Sequence, residues 1–283
     1  FSMKKVLSFL ILFLFAFCTK AEKVNGIVYD KQGNKPIGFV SIGIVNSPFG
    51  TYSNEKGQFE LKLEQFNVND TLRFSCIGFN TISYIVSEFF ETFANGDTVF
   101  LSEKITQLNE IVVLGNRIKT KTLGNINASR QVLIGFLGDK ESGIIVENRE
   151  NILLREVAFK LAMTEFDQPD SAVFRFNIYS LKDGLPDRNL LKRPIYFRIY
   201  NGQFDEYVSF NIRAENIKLE ESFAATFELV KQYGGKRIYF AGKFHGSKGI
   251  IRWGPQGEWT EQKADGGPLK LHQSLEIEVI EIE

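Results

Sequence analysis

A chain of 283 residues carries only two histidines, two cysteines, two methionines and two tryptophans. The histidines, His245 and His272, open neither an H-x-x-E nor an H-x-x-E-H spacing, because Gly246-Ser247-Lys248 and Gln273-Ser274-Leu275 follow them. A zinc hydrolase centre needs several such ligands at set spacings, so these two histidines do not build one. There is no G-x-S-x-G elbow, P-loop or G-x-G-x-x-G turn, and no cofactor is expected. Net charge is also missing, with 34 lysines and arginines against 34 aspartates and glutamates. Without a global basic field, nucleic acid is not an expected partner. The longest largely apolar run, Val6 to Phe17, has twelve residues. That is short of the roughly 20 needed for a spanning helix, so no transmembrane segment is expected in the mature chain.

What is abundant is phenylalanine, 27 residues of it, beside 9 tyrosines in a 43% hydrophobic chain. Aromatic and β-branched side chains suit a pleated, half-buried surface, so an all-β fold is expected. The first segment stands apart from it. Met3-Lys4-Lys5, the apolar run and the small residues of Thr19-Lys20-Ala21 are the three parts of a secretory signal peptide, residues 1–21. Cleavage at Ala21 and cleavage at Cys18 are both open, and Cys18 also raises lipoprotein processing. An exported protein of the periplasm, outer-membrane surface or exterior is expected. Removing residues 1–21 takes three lysines and no acid, leaving 31 − 34 = −3. Cys76 is then the single cysteine, and no internal disulfide can form.

From Val24 onward, short alternating strands are separated by Gly, Asn, Asp and Pro turns, the pattern of a β-sandwich. Phe59, Leu61 and Leu63 share one face, as do Leu72, Phe74 and Cys76. Cys76 is read as a small buried residue, not a reactive thiol. Three ordered blocks stand out: Gly26-x-Val28-x-Asp30-x-x-Gly33 with Pro36-Ile37-x-Phe39-Val40; Gly50-Thr51-x-Ser53-Asn54-x-x-Gly57-x-Phe59; and Asp70-x-Leu72-x-Phe74-Ser75-x-Ile77-Gly78-Phe79. Together they resemble the carboxypeptidase regulatory-like domain over residues 22–103. The resemblance implies a transthyretin-like seven-stranded β-sandwich of the Gram-negative cell envelope, the regulatory and not the catalytic companion of carboxypeptidases. Leu108 to Gly115 is similar to the segment after this domain in TonB-dependent outer-membrane receptors. Glu110, Ile111, Val112 and Val113 are therefore candidate partner-binding residues, the alternative being a strand leading into the next domain. The remaining chain is too short for a receptor barrel.

Residues 104–148 are expected as a connecting segment, rich in Gly, Lys and Arg around 116–130, within which the apolar cluster from Ala128 to Leu137 is read as a short helix or strand. Residues 149–283 return to alternation, as in Val173-Phe174-Arg175-Phe176-Asn177-Ile178-Tyr179 and in Phe223, Ala225, Phe227 and Leu229. A second, larger, jelly-roll-like β-sandwich is expected there. Leu275 to Glu283 is its closing strand, with a phase slip at Val279-Ile280 that marks a bulge or strand end. Carboxylate pairs such as Glu276 and Glu278 fall on solvated faces.

The functional candidates in this half are aromatic. Arg252-Trp253-Gly254-Pro255-Gln256-Gly257-Glu258-Trp259 sets both tryptophans about one Gly-Pro turn. Exposed at a rim, Trp253 and Trp259 would stack on a sugar ring with Glu258 and Gln256 as hydrogen-bonding partners; buried, they would cap the core. Phe204-Asp205-Glu206-Tyr207 is a second such loop. The expectation is an exported, non-catalytic binding or accessory module for a glycan, peptide or envelope protein. The alternatives are a hydrolase with an unrecognised site in the second sandwich and an accessory to a TonB-dependent system.

Overall fold

The structure is a computed structural model and describes residues 23–62, 66–93, 96–104, 119–125, 129–136, 140–161, 169–204, 207–235, 238–263, 272–273 and 275–281. The expected signal peptide with Cys18, and Glu110, Ile111, Val112 and Val113, lie outside the described residues. The fold is all-β, as the alternation implied.

Among the described residues, seven strands and one helix form the N-terminal domain: β1 (Lys23–Asp30), β2 (Ser41–Ile44), β3 (Gly50–Tyr52), β4 (Gln58–Lys62), β5 (Thr71–Ser75), β6 (Ile82–Ile85), α1 (Val86–Thr92) and β7 (Thr98–Leu101). One sheet has the order β4-β1-β7 and the other β3-β2-β5-β6. Their alternating apolar residues meet in one core that includes Val28, Ile42, Phe59, Leu61, Leu72 and Phe74. Phe89 of α1 closes it, stacked on Phe93 at 4.5 Å. Cys76 is buried there as a free thiol, as its phase implied.

The C-terminal domain is larger and starts earlier than composition indicated. The stretch expected as a connection supplies β8 (Thr120–Asn125), β9 (Ser129–Phe136) and β10 (Lys140–Val146). Its glycines and charges read as a linker, yet Thr120–Asn125 pairs with the last strand and Lys140–Val146 sits inside the largest sheet. The other strands are β11 (Ile152–Lys160), β12 (Ser171–Lys182), β13 (Leu185–Asn189), β14 (Ile195–Tyr200), β15 (Tyr207–Asn211), β16 (Lys218–Leu219), β17 (Phe223–Tyr233), β18 (Ile238–Lys243), β19 (Gly249–Trp253), β20 (Trp259–Glu261), β21 (His272–Gln273) and β22 (Leu275–Glu281).

The large sheet runs β13-β12-β17-β10-β19-β20, with β14 also on β12. A second sheet runs β15-β11-β22-β8 with β16 on β11, and a third runs β21-β18-β9. One core receives side chains from all three, including Phe159, Phe174, Phe176, Phe227, Phe240 and Val279. The closing strand is held between β11 and β8. The register shift opposite it lies in β11, between Leu154 and Glu156, so the bulge belongs to the partner strand.

Candidate functional site

The large sheet is apolar on one face because Phe174, Phe176 and Ile178 of β12 and Ala225, Phe227 and Leu229 of β17 point into the core. Period two then sends Arg175, Asn177 and Tyr179, with Thr226 and Glu228, to the opposite face. On an antiparallel sheet that face is commonly wet. Here it is not: Arg175 is 3% exposed, Asn177 1%, and Glu141, Thr226 and Glu228 are each at 0%. The cover is the β3-β2-β5-β6 sheet of the N-terminal domain.

Arg175 makes the junction. Its Nε donates to Glu228 Oε2 at 2.8 Å within its own domain. Its Nη1 donates to the Phe39 carbonyl at 2.8 Å and its Nη2 to Ser41 Oγ at 2.6 Å, both in the N-terminal domain. Phe39 holds a left-handed φ of 59°, which few bulky residues adopt and which costs about 1–3 kcal/mol unless its surroundings hold it. Those surroundings are Arg175 on its carbonyl and Tyr196, whose ring centroid is 5.1 Å from its ring.

From the N-terminal side, the Tyr52 hydroxyl donates to Glu228 Oε1 at 2.7 Å. Arg252 Nη2 stands 2.5 Å from Glu141 Oε2 and 3.9 Å from Glu228 Oε1. Glu141 also accepts from Thr226, from Asn177 Nδ2 at 2.8 Å and from Tyr179 at 3.0 Å. Two guanidinium groups and two carboxylates thus neutralise one another with little water, the condition under which buried charge is tolerated.

The charges respond accordingly. Burial by itself would raise the Glu228 carboxyl, but Arg175 and Arg252 override it and hold it below the usual carboxylate range. Burial would lower both guanidinium groups, and Glu228 and Glu141 respectively keep Arg175 and Arg252 above their ordinary value. Burial first, then a neighbouring carboxylate, pushes Tyr52 and Tyr179 well up. Tyr196 is pushed up to about 12, mainly by burial. Groups so firmly committed to one protonation state do not exchange protons near neutral pH.

Beside this network is a cavity of about 300 Å³ between the domains, lined in part by Arg73, Cys76, Lys104, Arg175, Arg188 and Arg252. It adjoins a wider one of about 690 Å³ through Ile77, Gly78, Phe79, Lys104 and Leu191. Among the described residues, no group of three His, Cys, Asp or Glu could hold a metal ion. Nor is any described helix long and apolar enough to cross a membrane.

The Gly-Pro turn between the tryptophans is placed differently from a free rim. Gln256 is buried: its Nε2 donates to Ser75 Oγ at 2.8 Å, and its carbonyl accepts from the Asn46 amide at 2.9 Å. Pro255 is buried against Gly43 and Gly50 of the N-terminal domain. Glu258 is exposed. Trp259 pairs with Arg252 across β19 and β20 and so shares its face; its ring meets Tyr179 at 5.6 Å. Trp253, the next residue along β19, points to the other face, is 48% exposed, and has Lys140 Nζ 3.3 Å from its ring centre. The turn therefore does not bring the two rings into one platform. In the second aromatic loop Phe204 is fully buried, Tyr207 is exposed, and Asp205 and Glu206 lie outside the described residues.

Sequence reasoning missed Arg175, Glu228, Glu141 and Arg252. The available signal was that Arg175, Asn177 and Tyr179 alternate with fully apolar neighbours on a long strand, where a wet face more often carries Lys, Glu and Thr. No curated protein matches the chain. Residues 24–113 match the family model of the CarboxypepD_reg-like domain, so the N-terminal sandwich that Arg175 grips is a carboxypeptidase regulatory-like domain.

Proposed function

We propose that the protein is an exported, non-catalytic accessory module of the cell envelope, which binds a glycan, peptide or protein partner through a surface that its two domains build together. The observation that carries this reading is the docking of the regulatory-like domain by Arg175 and Tyr52, which leaves a cleft lined from both domains. The domain is fixed as part of a composite surface instead of hanging from a free tether. Against the hydrolase alternative, both buried carboxylates on this face are engaged by arginines, and Glu228 is held low. A general acid requires the opposite shift. Trp253 is the ring offered to a sugar, with Glu258 also exposed.

The test is a glycan and peptide array probed with the purified full chain, with product analysis of every positive spot and fractionation of the tagged protein after expression. Retention of an array member without turnover, and recovery in an envelope fraction, is expected. Turnover of a bound member would replace this reading with the hydrolase. No binding to either array, or recovery in the cytoplasm, would remove the binding or the export half.

A further inference from the structure

We propose that the smaller interdomain cavity is a binding site for an oxoanion, a phosphate, sulfate or carboxylate group of a small ligand, held chiefly by Arg73 and Arg188. The proposal rests on reading the protein as a binding module and names the chemistry of what it binds.

The cavity is lined by five cationic side chains, Arg73, Lys104, Arg175, Arg188 and Arg252, against one carboxylate, Asp187. Arg175 and Arg252 are neutralised by Glu228 and Glu141, and two further guanidinium groups, Arg73 and Arg188, share the lining with the single carboxylate Asp187. A surplus of positive charge therefore borders a semi-enclosed space, where screening is weaker than on open surface.

Arg73 is aimed there by its strand. It alternates in β5 with Leu72 and Phe74, both in the N-terminal core, so its side chain leaves on the face turned towards the C-terminal domain. Its cross-strand neighbour on β2 is Gly43, on whose face Pro255 of the C-terminal domain is seated. Arg73 Nε and Arg252 Nε are both buried, both belong to residues lining this cavity, and neither has an acceptor among the described residues. A buried charged donor without an acceptor is costly, more so than a neutral one. An oxoanion offers several acceptors at once and matches the planar fork of a guanidinium.

The cavity is small for a drug-sized ligand but large enough for one anionic group, and the adjoining wider cavity has room for the rest of a molecule. Water is the competing occupant for the two N–H groups, and the experiment separates it from an anion.

The full chain is titrated with sodium phosphate, sodium sulfate and sodium glucuronate at constant ionic strength, with chloride as the reference, and binding is followed by calorimetry and melting temperature. At least one of the three is expected to bind and raise the melting temperature above the chloride control; which one identifies the source of the oxoanion. Arg73→Leu/Arg188→Leu is expected to weaken that binding by about tenfold or more, as the loss of charge-assisted hydrogen bonds implies. Arg149→Leu, which removes an exposed cation outside the cavity lining, is expected to leave it unchanged. Should the double variant not fold, Arg188→Leu alone provides the test, because Arg188 is exposed and its loss leaves both cores intact. No response beyond chloride, or equal binding by a folded Arg188→Leu or double variant, overturns the proposal and leaves water as the occupant. Either result is independent of the glycan and peptide array, which does not require an anionic ligand.

Discussion

Pro255 stands where a side chain on Gly50 would have to be: a Cβ built on Gly50 would lie 2.5 Å from Pro255 Cγ. Gly43 faces Gly50 across the β2–β3 pair, and its own Cβ would come within 3.3 Å of the same atom. Two opposed glycines thus make a flat spot on the regulatory-like domain into which the Gly254-Pro255 turn of the other domain is set. A Cβ on Gly50 would also lie 2.5 Å from the Ile42 carbonyl of β2, so Gly50→Val is expected to strain the β2–β3 pair as well as the seat of the turn. The expected cost is about 1–3 kcal/mol, the range for overpacked sites, read as a lower urea midpoint with unchanged far-UV circular dichroism. A variant as stable as the parent would mean that both Pro255 and the Ile42 carbonyl can give way without cost.

The Arg175–Glu228 pair is the second handle on docking. Glu228→Gln or Arg175→Met leaves the other charge buried, with an expected loss of about 3–5 kcal/mol. Replacing both together, Arg175→Met with Glu228→Leu, is expected to cost less than the two single changes added. Urea unfolding of the four proteins in a double-mutant cycle measures this, and strict additivity would show that the pair is not coupled.

Stability should have an acid limit set partly by Glu228. Its carboxyl is lower in the folded chain than the usual ~4.3 of a free glutamate. The stability it adds is therefore complete above that ordinary value and is lost as pH falls through the depressed folded one. The alkaline limit has the opposite sign. Tyr52, Tyr179 and Tyr196 are raised above the ordinary ~10, so they stabilise fully below it and progressively less as pH rises towards their folded values. Thermal melts from pH 2 to 11 should show a plateau between these edges. In Glu228→Gln the acid edge should be shallower, and an unchanged edge would assign it to other carboxylates.

The Cys76 thiol is buried, and burial pushes it up. Labelling with a thiol reagent at pH 7 is expected to be slow in the folded chain and fast in urea. Rapid labelling of the native protein would show that the cavity beside Cys76 admits the reagent.

The strands were legible wherever one face is buried and the other wet. Phe59 and Leu61 against Glu60 and Lys62 follow period two because β4 has such faces. The seven-stranded N-terminal sandwich was legible for a further reason: its turn glycines and prolines sit in ordered blocks. β10 was not legible, because Lys140–Val146 is buried along its whole length and carries both a lysine and a glutamate. Its charges resembled a linker because their partners, Trp253 beside Lys140 and Arg252 beside Glu141, lie more than a hundred residues away. The same holds for the site. Trp253 and Trp259 drew notice through local spacing, whereas Arg175 acquires its meaning only when Phe39 and Ser41 arrive from another domain.

Tyr52 and Glu228, joined by one hydrogen bond, are separated by 176 positions in the chain. A bond of that span closes late, since the entropy of so large a loop is recovered only after both ends are already ordered. The expected order is that each sandwich completes its own core while the charged face of the large sheet is still hydrated. On that expectation, expelling the water is the last step. Tyr52→Phe, which leaves both cores unaltered, should slow or weaken that last phase of refolding and spare the earlier ones; an identical slow phase would place docking before the closure of the second core. On that expectation the molecule is sealed from the middle, after its two ends have finished.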